Sequence, residues 1–242
     1  MIDSHAHLNE IEDVEGALAR ARAAGITGIV AVGMEVASNR ATLELHHRYP
    51  DLVYPAMGYH PWRLTPEGIE ENLVFIKEHL SQCVALGEVG LDYQAKVKKK
   101  LQQEVLAKLL EIAARENRPV ILHTRFSQPR ALRMVKEAGI GKAVFHWYSG
   151  SLEVLEEIVA ADYFISATPA AAYSPPHQAA LEAAPLSHII METDAPVVYQ
   201  EMISEPADLL VTARELSRIK RIELSQVIET TTANARSFFK IF

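Results

Sequence analysis

The chain has 242 residues, a formal net charge of −7, 49% hydrophobic and 7% aromatic residues, and a single cysteine, Cys83. This balance excludes a disordered or fibrous chain, an internal disulfide, and a global basic field of the kind that holds nucleic acid non-specifically. It holds no run of about 18 apolar residues, so no membrane-spanning helix and no membrane partner are expected, and the protein reads as cytoplasmic.

Eight short apolar runs follow in order: residues 2–7, 27–32, 52–57, 82–87, 120–123, 142–146, 163–167 and 189–193. Most are rich in valine and isoleucine without clean alternation, as expected of strands covered on both faces. The first run carries His5 and His7, and Glu88 follows the fourth. His123 ends the fifth, His146 ends the sixth, and Asp194 follows the eighth. The opening residues therefore read as part of a site rather than as a cleaved leader. Between runs lie amphipathic segments: Ile69, Leu73, Ile76 and Leu80 share one helical stripe, and Leu101, Val105, Leu109 and Ile112 share another. Gly33, Gly58 and Gly87 stand at run ends, where the backbone must turn. Residues 224–242 read as a last helix, with Phe238, Phe239 and Phe242 sealing the outside of the fold.

Eight strand–helix alternations without a linker predict one domain, residues 1–242, folded as a (β/α)₈ TIM barrel; about 250 residues is typical of that fold. An open doubly wound sheet is the alternative, but no G-x-G-x-x-G follows the first strand.

His-x-His on a strand aims both imidazoles at the same face, because strand side chains alternate with period two. Alone this is a weak signal, and a single histidine after an apolar run is more often a hydrogen-bonded core residue. Four further metal-seeking residues at later strand ends change that, since the strand ends of a barrel converge on one mouth. The expected ligands are His5, His7, Glu88, His123, His146 and Asp194. Glu88 has two oxygens and can bridge two cations. Asp194 can also take a proton from the attacking water, so both are the catalytic candidates. One or two divalent ions are implied. The four histidines suit Zn²⁺ or Mn²⁺, and a carboxylate-only set would suit Mg²⁺ better. Such ions lower the pKa of a shared water to roughly neutral, making hydroxide available as nucleophile.

The same residues sit in longer motifs. Asp3-Ser-His-Ala-His-Leu8, Gly58-Tyr-His-Pro61, Gly87-Glu-Val-Gly-Leu-Asp-Tyr93, Val120-Ile-Leu-His-Thr-Arg125, Phe145-His-Trp-Tyr-Ser-Gly150 and Glu192-Thr-Asp-Ala-Pro196 run nearly end to end. In these the chain resembles the TatD family of metal-dependent hydrolases, within the amidohydrolase-like barrels. The resemblance implies a barrel, one or two divalent metals, and hydrolysis, usually of DNA. It matches the six candidates to the family's ligands and His60 to a histidine lining the same pocket. The chain departs from the pattern at Trp147, where the family usually has cysteine, and at Met202-Ile-Ser-Glu-Pro206, where the family reads R-N-E-P. The segments after Tyr93 and after Asp194 look short. These departures bear on substrate rather than on metal.

For a nucleic-acid substrate, Arg125 and His60 are the leading contacts, with Arg63 and Arg130 as further candidates. Lys96, Lys98, Lys99 and Lys100 read either as a phosphate-attracting patch or as a solvated charged face. Tyr59, Trp62, Trp147 and Tyr148 read either as stacking surfaces for a base or as packing. His177 reads as exposed, and Cys83 as a small buried residue. No obligate protein partner is implied. The alternative activity is attack on a carbonyl: amide, ester or lactone hydrolysis, including deacylation of an aminoacyl-tRNA.

Overall fold

The computed structural model describes residues 1–241, and the sealing role expected of Phe242 lies outside them. Eight strands form one sheet, each hydrogen-bonded in parallel to the next: β1 (Ile2–Ala6), β2 (Gly28–Val32), β3 (Val53–Met57), β4 (Ala85–Asp92), β5 (Val120–Arg125), β6 (Ala143–Phe145), β7 (Phe164–Ala167) and β8 (Ile189–Met191). Helices lie between them: α1 (Val14–Ala23), α2 (Val36–Arg48), α3 (Ile69–His79), α4 (Lys99–Arg115), α5 (Gln128–Glu137), α6 (Leu152–Ala160) and α7 (Pro175–Ala183). A two-stranded hairpin, β9 (Val198–Tyr199) with β10 (Met202–Ile203), follows β8, and α8 (Leu209–Lys220) and α9 (Leu224–Phe239) end the chain.

The sheet curls into a barrel. Its seam is drawn together by a parallel bridge between Ala6 and Ala195, with His7 N–H donating to the Ala195 carbonyl at 2.7 Å and Asp194 N–H to the His5 carbonyl at 2.9 Å. Asp3 adds a side-chain clasp. Its carboxyl accepts from the Thr193 hydroxyl at 2.6 Å and from the Thr193 N–H at 3.0 Å. Burial pushes this carboxyl up to about 8, against the hydrogen bonds from Thr193 and His5. Asp3 thus joins the first strand to the last and stands outside the ligand cluster.

The helices bury the stripes their spacing predicted. In α4, Val105, Leu109 and Ala113 are buried, with Leu106 and Leu110 beside them; Leu101 and Ile112 sit at the margin. Phe238 and Phe239 of α9 pack with Ile2, Ile121 and Ile190, closing the lower end. Cys83 is buried among apolar side chains.

Two strands run further than the apolar runs suggest. β4 continues through Glu88 to Asp92, and β5 through His123 to Arg125. The glycines there serve close approach rather than termination. A Cβ on Gly58 would stand 2.2 Å from the Glu88 carbonyl oxygen, and one on Gly90 would stand 1.9 Å from that of His123. Removing those Cβ atoms lets the backbones carrying two candidate ligands press against their neighbours.

Candidate metal centre

β1 contributes His5 and His7, whose alternation aims both rings into the mouth. β4 contributes Glu88, β5 contributes His123, and the residues after β6 and β8 contribute His146 and Asp194. All six come together there. His5 is fully buried at the base, while His7, Glu88, His123, His146 and Asp194 line a cavity of about 430 Å³.

The four innermost atoms form a cage. His5 Nε2 lies 3.3 Å from His7 Nε2, 3.4 Å from Glu88 Oε2 and 3.5 Å from Asp194 Oδ1. His7 Nε2 lies 3.6 Å from that glutamate oxygen and 3.5 Å from the same aspartate oxygen. His5 Nε2, His7 Nε2 and Asp194 Oδ1, mutually 3.3 to 3.5 Å apart, leave a point about 2.1 Å from all three, the distance at which zinc takes imidazole nitrogen or carboxylate oxygen. The donor set therefore fits a cation.

A second group forms on the other oxygen of Glu88. Oε1 lies 2.9 Å from His123 Nδ1, 3.5 Å from His60 Nε2 and 3.7 Å from His146 Nε2. Asp194 divides in the same way, with Oδ2 lying 3.6 Å from His146 Nε2. Each carboxylate thus faces two donor sets at once. The His5 and His146 rings stack with centroids 4.2 Å apart, closer than two charged imidazoliums would settle without counter-charge.

Charge in the cage is strongly biased. Burial alone would raise the Glu88 carboxyl, but His60, His5, His146 and His123 hold it well below its usual value. Burial likewise works to raise Asp194, and His146, His7 and His5 overcome it. Burial would lower His146, but Glu192, Asp194 and Glu88 push it up to about 10. His60 differs: burial brings it down to about 4 against the pull of Glu88. It is neutral, and its Nδ1 accepts from the Trp62 backbone N–H at 3.1 Å. Its proton therefore sits on Nε2, facing Glu88.

Two buried carboxylates that the strand-end pattern did not single out complete the arrangement. Glu192 Oε1 lies 2.6 Å from His146 Nδ1, and Asp92 Oδ2 lies 3.0 Å from His123 Nε2. Each holds the outer nitrogen of an imidazole whose inner nitrogen faces Glu88. A carboxylate so placed fixes tautomer and ring orientation and raises basicity. Their signal was present: Asp92 lies four residues after Glu88 on one strand, hence on the same face, and Glu192 lies two before Asp194. His5 and His7 have no such support, and among the described residues their Nδ1 atoms are buried without a partner.

Backbone strain marks the same mouth. Asp194 adopts φ 53° and Trp147 φ 44°, left-handed values that are costly for a bulky ring. The Trp147 N–H is held by Ser166 Oγ at 2.8 Å, and its ring leans on Tyr199 of the hairpin at 5.3 Å.

The remaining expectations divide. Arg125 and His60 line the cavity. Arg63 turns to Glu10 and Glu35 at 3.8 and 3.7 Å, so its charge is already engaged. Arg130 donates to Gln103 at 3.2 Å. None of the four lysines lines the cavity: Lys98 caps α4, Lys99 sits over the Tyr93 ring, and Lys100 pairs with Glu104. Tyr59 and Tyr148 are buried packing residues. His177, expected to be exposed, is fully buried; its Nδ1 donates to the Tyr148 carbonyl at 2.8 Å and its Nε2 accepts from Thr168 N–H at 3.2 Å. Pro175 and Pro176 start α7, and the first turn of that helix swings the ring inward. Glu205, the surviving residue of the altered motif, is spent on a bidentate pair with Arg20 of α1.

The family model for TatD related DNases matches residues 2–240. The human deoxyribonuclease TATDN3 is 30% identical over 99% of this chain and 94% of its own. An uncharacterised metal-dependent hydrolase of Bacillus subtilis, YabD, is 29% identical over 100% of this chain and 99% of its own. Among solved structures, the TatD homologue YJJV of Escherichia coli superimposes with a TM-score of 0.91 at 26% identity, covering 100% of this chain and 98% of that one.

Proposed function

The chain belongs to the family of TatD related DNases, and from that premise we infer that it hydrolyses phosphodiester bonds of DNA, with His5, His7, Glu88, His123, His146 and Asp194 holding two divalent ions. The observation that carries this reading is Glu88, whose Oε2 faces His5 and His7 while its Oε1 faces His123 and His146. A carboxylate with a donor set on each oxygen is suited to bridging. The histidine-rich set favours Zn²⁺ or Mn²⁺ over Mg²⁺.

Bound ions supply a lowered pKa for water and counter-charge for the phosphoryl oxygens. The chain's own residues do the rest. Glu88 and Asp194 stay ionised because the surrounding imidazoles hold their carboxyls low. Asp194, at the mouth of the cage, accepts the proton of the attacking water at a carboxylate oxygen. Asp92 and Glu192 keep His123 and His146 aimed, so no reorientation is needed during the reaction. Arg125 lies on the cavity wall, where its guanidinium can grip a phosphate beside the scissile one. A cavity of about 430 Å³ is at the small end of ligand pockets and has room for one nucleotide unit rather than for paired strands.

Protein of measured metal content, assayed on DNA, on a small phosphodiester and on a panel of carbonyl esters and lactones, tests the reading. DNA and the phosphodiester should be cleaved in proportion to metal. Faster turnover of any carbonyl ester than of every phosphodiester would move the assignment to carbonyl hydrolysis.

A further inference from the structure

Trp62 combines two properties that rarely occur together. Its side chain is 57% exposed, yet both of its N–H groups are engaged: the indole Nε1–H donates to Asp92 Oδ2 at 2.7 Å, and the backbone N–H donates to His60 Nδ1 at 3.1 Å. Its ring stands edge-on to His60 and His123, with centroids 4.8 and 5.5 Å away at 80° and 72°. A lone exposed tryptophan needs no explanation in itself. One pinned through a buried carboxylate, on the wall of the cavity that holds Glu88 and Asp194, is a different case.

We propose that the indole face of Trp62 is a preformed stacking surface for the nucleobase next to the scissile phosphate, and so a specificity-determining residue of this site. The inference rests on the nuclease reading above. An indole offers area and π-face with no charge, so it favours the flat ring of a base and gives a phosphate no partner. Its fixed position means little ordering cost on binding. Asp92 accepts from both Trp62 and His123, so one carboxylate sets the spacing between the stacking surface and a ligand imidazole. That spacing selects a ring held at a set reach from the cleaved bond. Of the other candidate aromatics, Tyr59 and Tyr148 are 2% and 1% exposed and have no face to offer. Trp147, also on the cavity wall, leans its ring on Tyr199 and, among the described residues, has no side-chain tie of the kind Asp92 gives Trp62.

The test uses dinucleoside monophosphates, which contain one phosphodiester, compared with analogues that lack the base on the 5′ or the 3′ side. Wild-type protein should prefer the base-bearing substrate over one of the two abasic analogues. W62A should raise KM for the base-bearing substrate roughly 5- to 150-fold, the range for loss of one base–aromatic stack. Compared at equal metal content, it should affect that abasic analogue far less than the base-bearing substrate, and W62F should recover most of the loss. Equal losses on base-bearing and abasic substrates, or no loss, would overturn the proposal while leaving the nuclease reading in place. Should wild-type protein cleave no phosphodiester, binding still decides. A nucleoside monophosphate should quench tryptophan fluorescence markedly more in wild-type protein than in W62F, where Trp147 remains, and deoxyribose 5-phosphate should show no such difference; equal quenching in the two proteins would refute stacking.

Discussion

At the scale of single residues, the site turns on carboxylates that face two ways. Glu88→Gln replaces a low-pKa carboxylate by a neutral amide between two donor sets. Turnover should fall by orders of magnitude and at least one ion should be lost, as read by metal analysis of the purified variant. Full metal content with near-normal turnover would remove Glu88 from the bridge. Glu192→Gln and Asp92→Asn leave every candidate ligand in place but weaken the hold on His146 and His123. Each should reduce metal affinity about 10- to 100-fold in a competition titration. Cys83 gives a prediction with a defined pH window. Burial pushes its thiol up to about 12 from an ordinary 9, against the weaker pull of Arg118. The unfolded chain therefore ionises first as pH rises, so stability present below about 9 is lost progressively toward 12. The stability advantage of wild type over Cys83→Ala should shrink as pH rises through that window, read from denaturant midpoints, and native protein should resist thiol reagents at pH 8. Rapid native labelling would contradict its burial.

At the scale of elements, α4 begins with Lys99 and Lys100 after the Lys98 cap, three cations at the positive end of a helix. Reversing charge at Lys98 should therefore stabilise the fold by about 0.3–1 kcal/mol, while at Lys99 the loss of its place over the Tyr93 ring offsets a similar gain. If those lysines draw a phosphate backbone toward the mouth, the same change should raise KM for DNA and flatten its salt dependence. Thermal melting and a salt series on one double variant read both. Unchanged DNA kinetics would leave the lysines as a solvated face, in keeping with their absence from the cavity wall. Strand number and order, and the convergence of the six candidates on one mouth, were legible because apolar runs and histidine positions carry them. Strand limits were not. Gly87 and Gly90 look like terminators in one dimension, but β4 runs through both, and a Cβ there would strike the Ile121 side chain and the His123 backbone of β5. The hairpin of β9 and β10, with two residues in each strand, is too short to have a period. His177 was misread because its burial depends on packing against Tyr148 and Thr168, which no local pattern encodes.

At the scale of the whole molecule, the cage pairs opposite charges, and a bound cation would take over the carboxylates from the protonated imidazoles. Raised imidazoles and depressed carboxyls share one buried volume. Free metal at 100 times its dissociation constant should add about 2.7 kcal/mol to stability. For a chain of this size that is a rise of roughly 5–10 °C in Tm over chelated protein, continuing logarithmically with metal. Melting indifferent to chelator would show that the cage closes without an ion. No helix among the described residues is long and apolar enough to cross a membrane. The barrel seam has a further consequence. Asp3 of β1 and Thr193, just past β8, are clasped across 190 positions of chain, and the candidate ligands beside them close the cage. A chain still emerging from the ribosome holds His5 and His7 with nothing to close upon. A fragment cut short before Asp194 should therefore be inert however well its strands have folded, as an assay of the purified truncation would read.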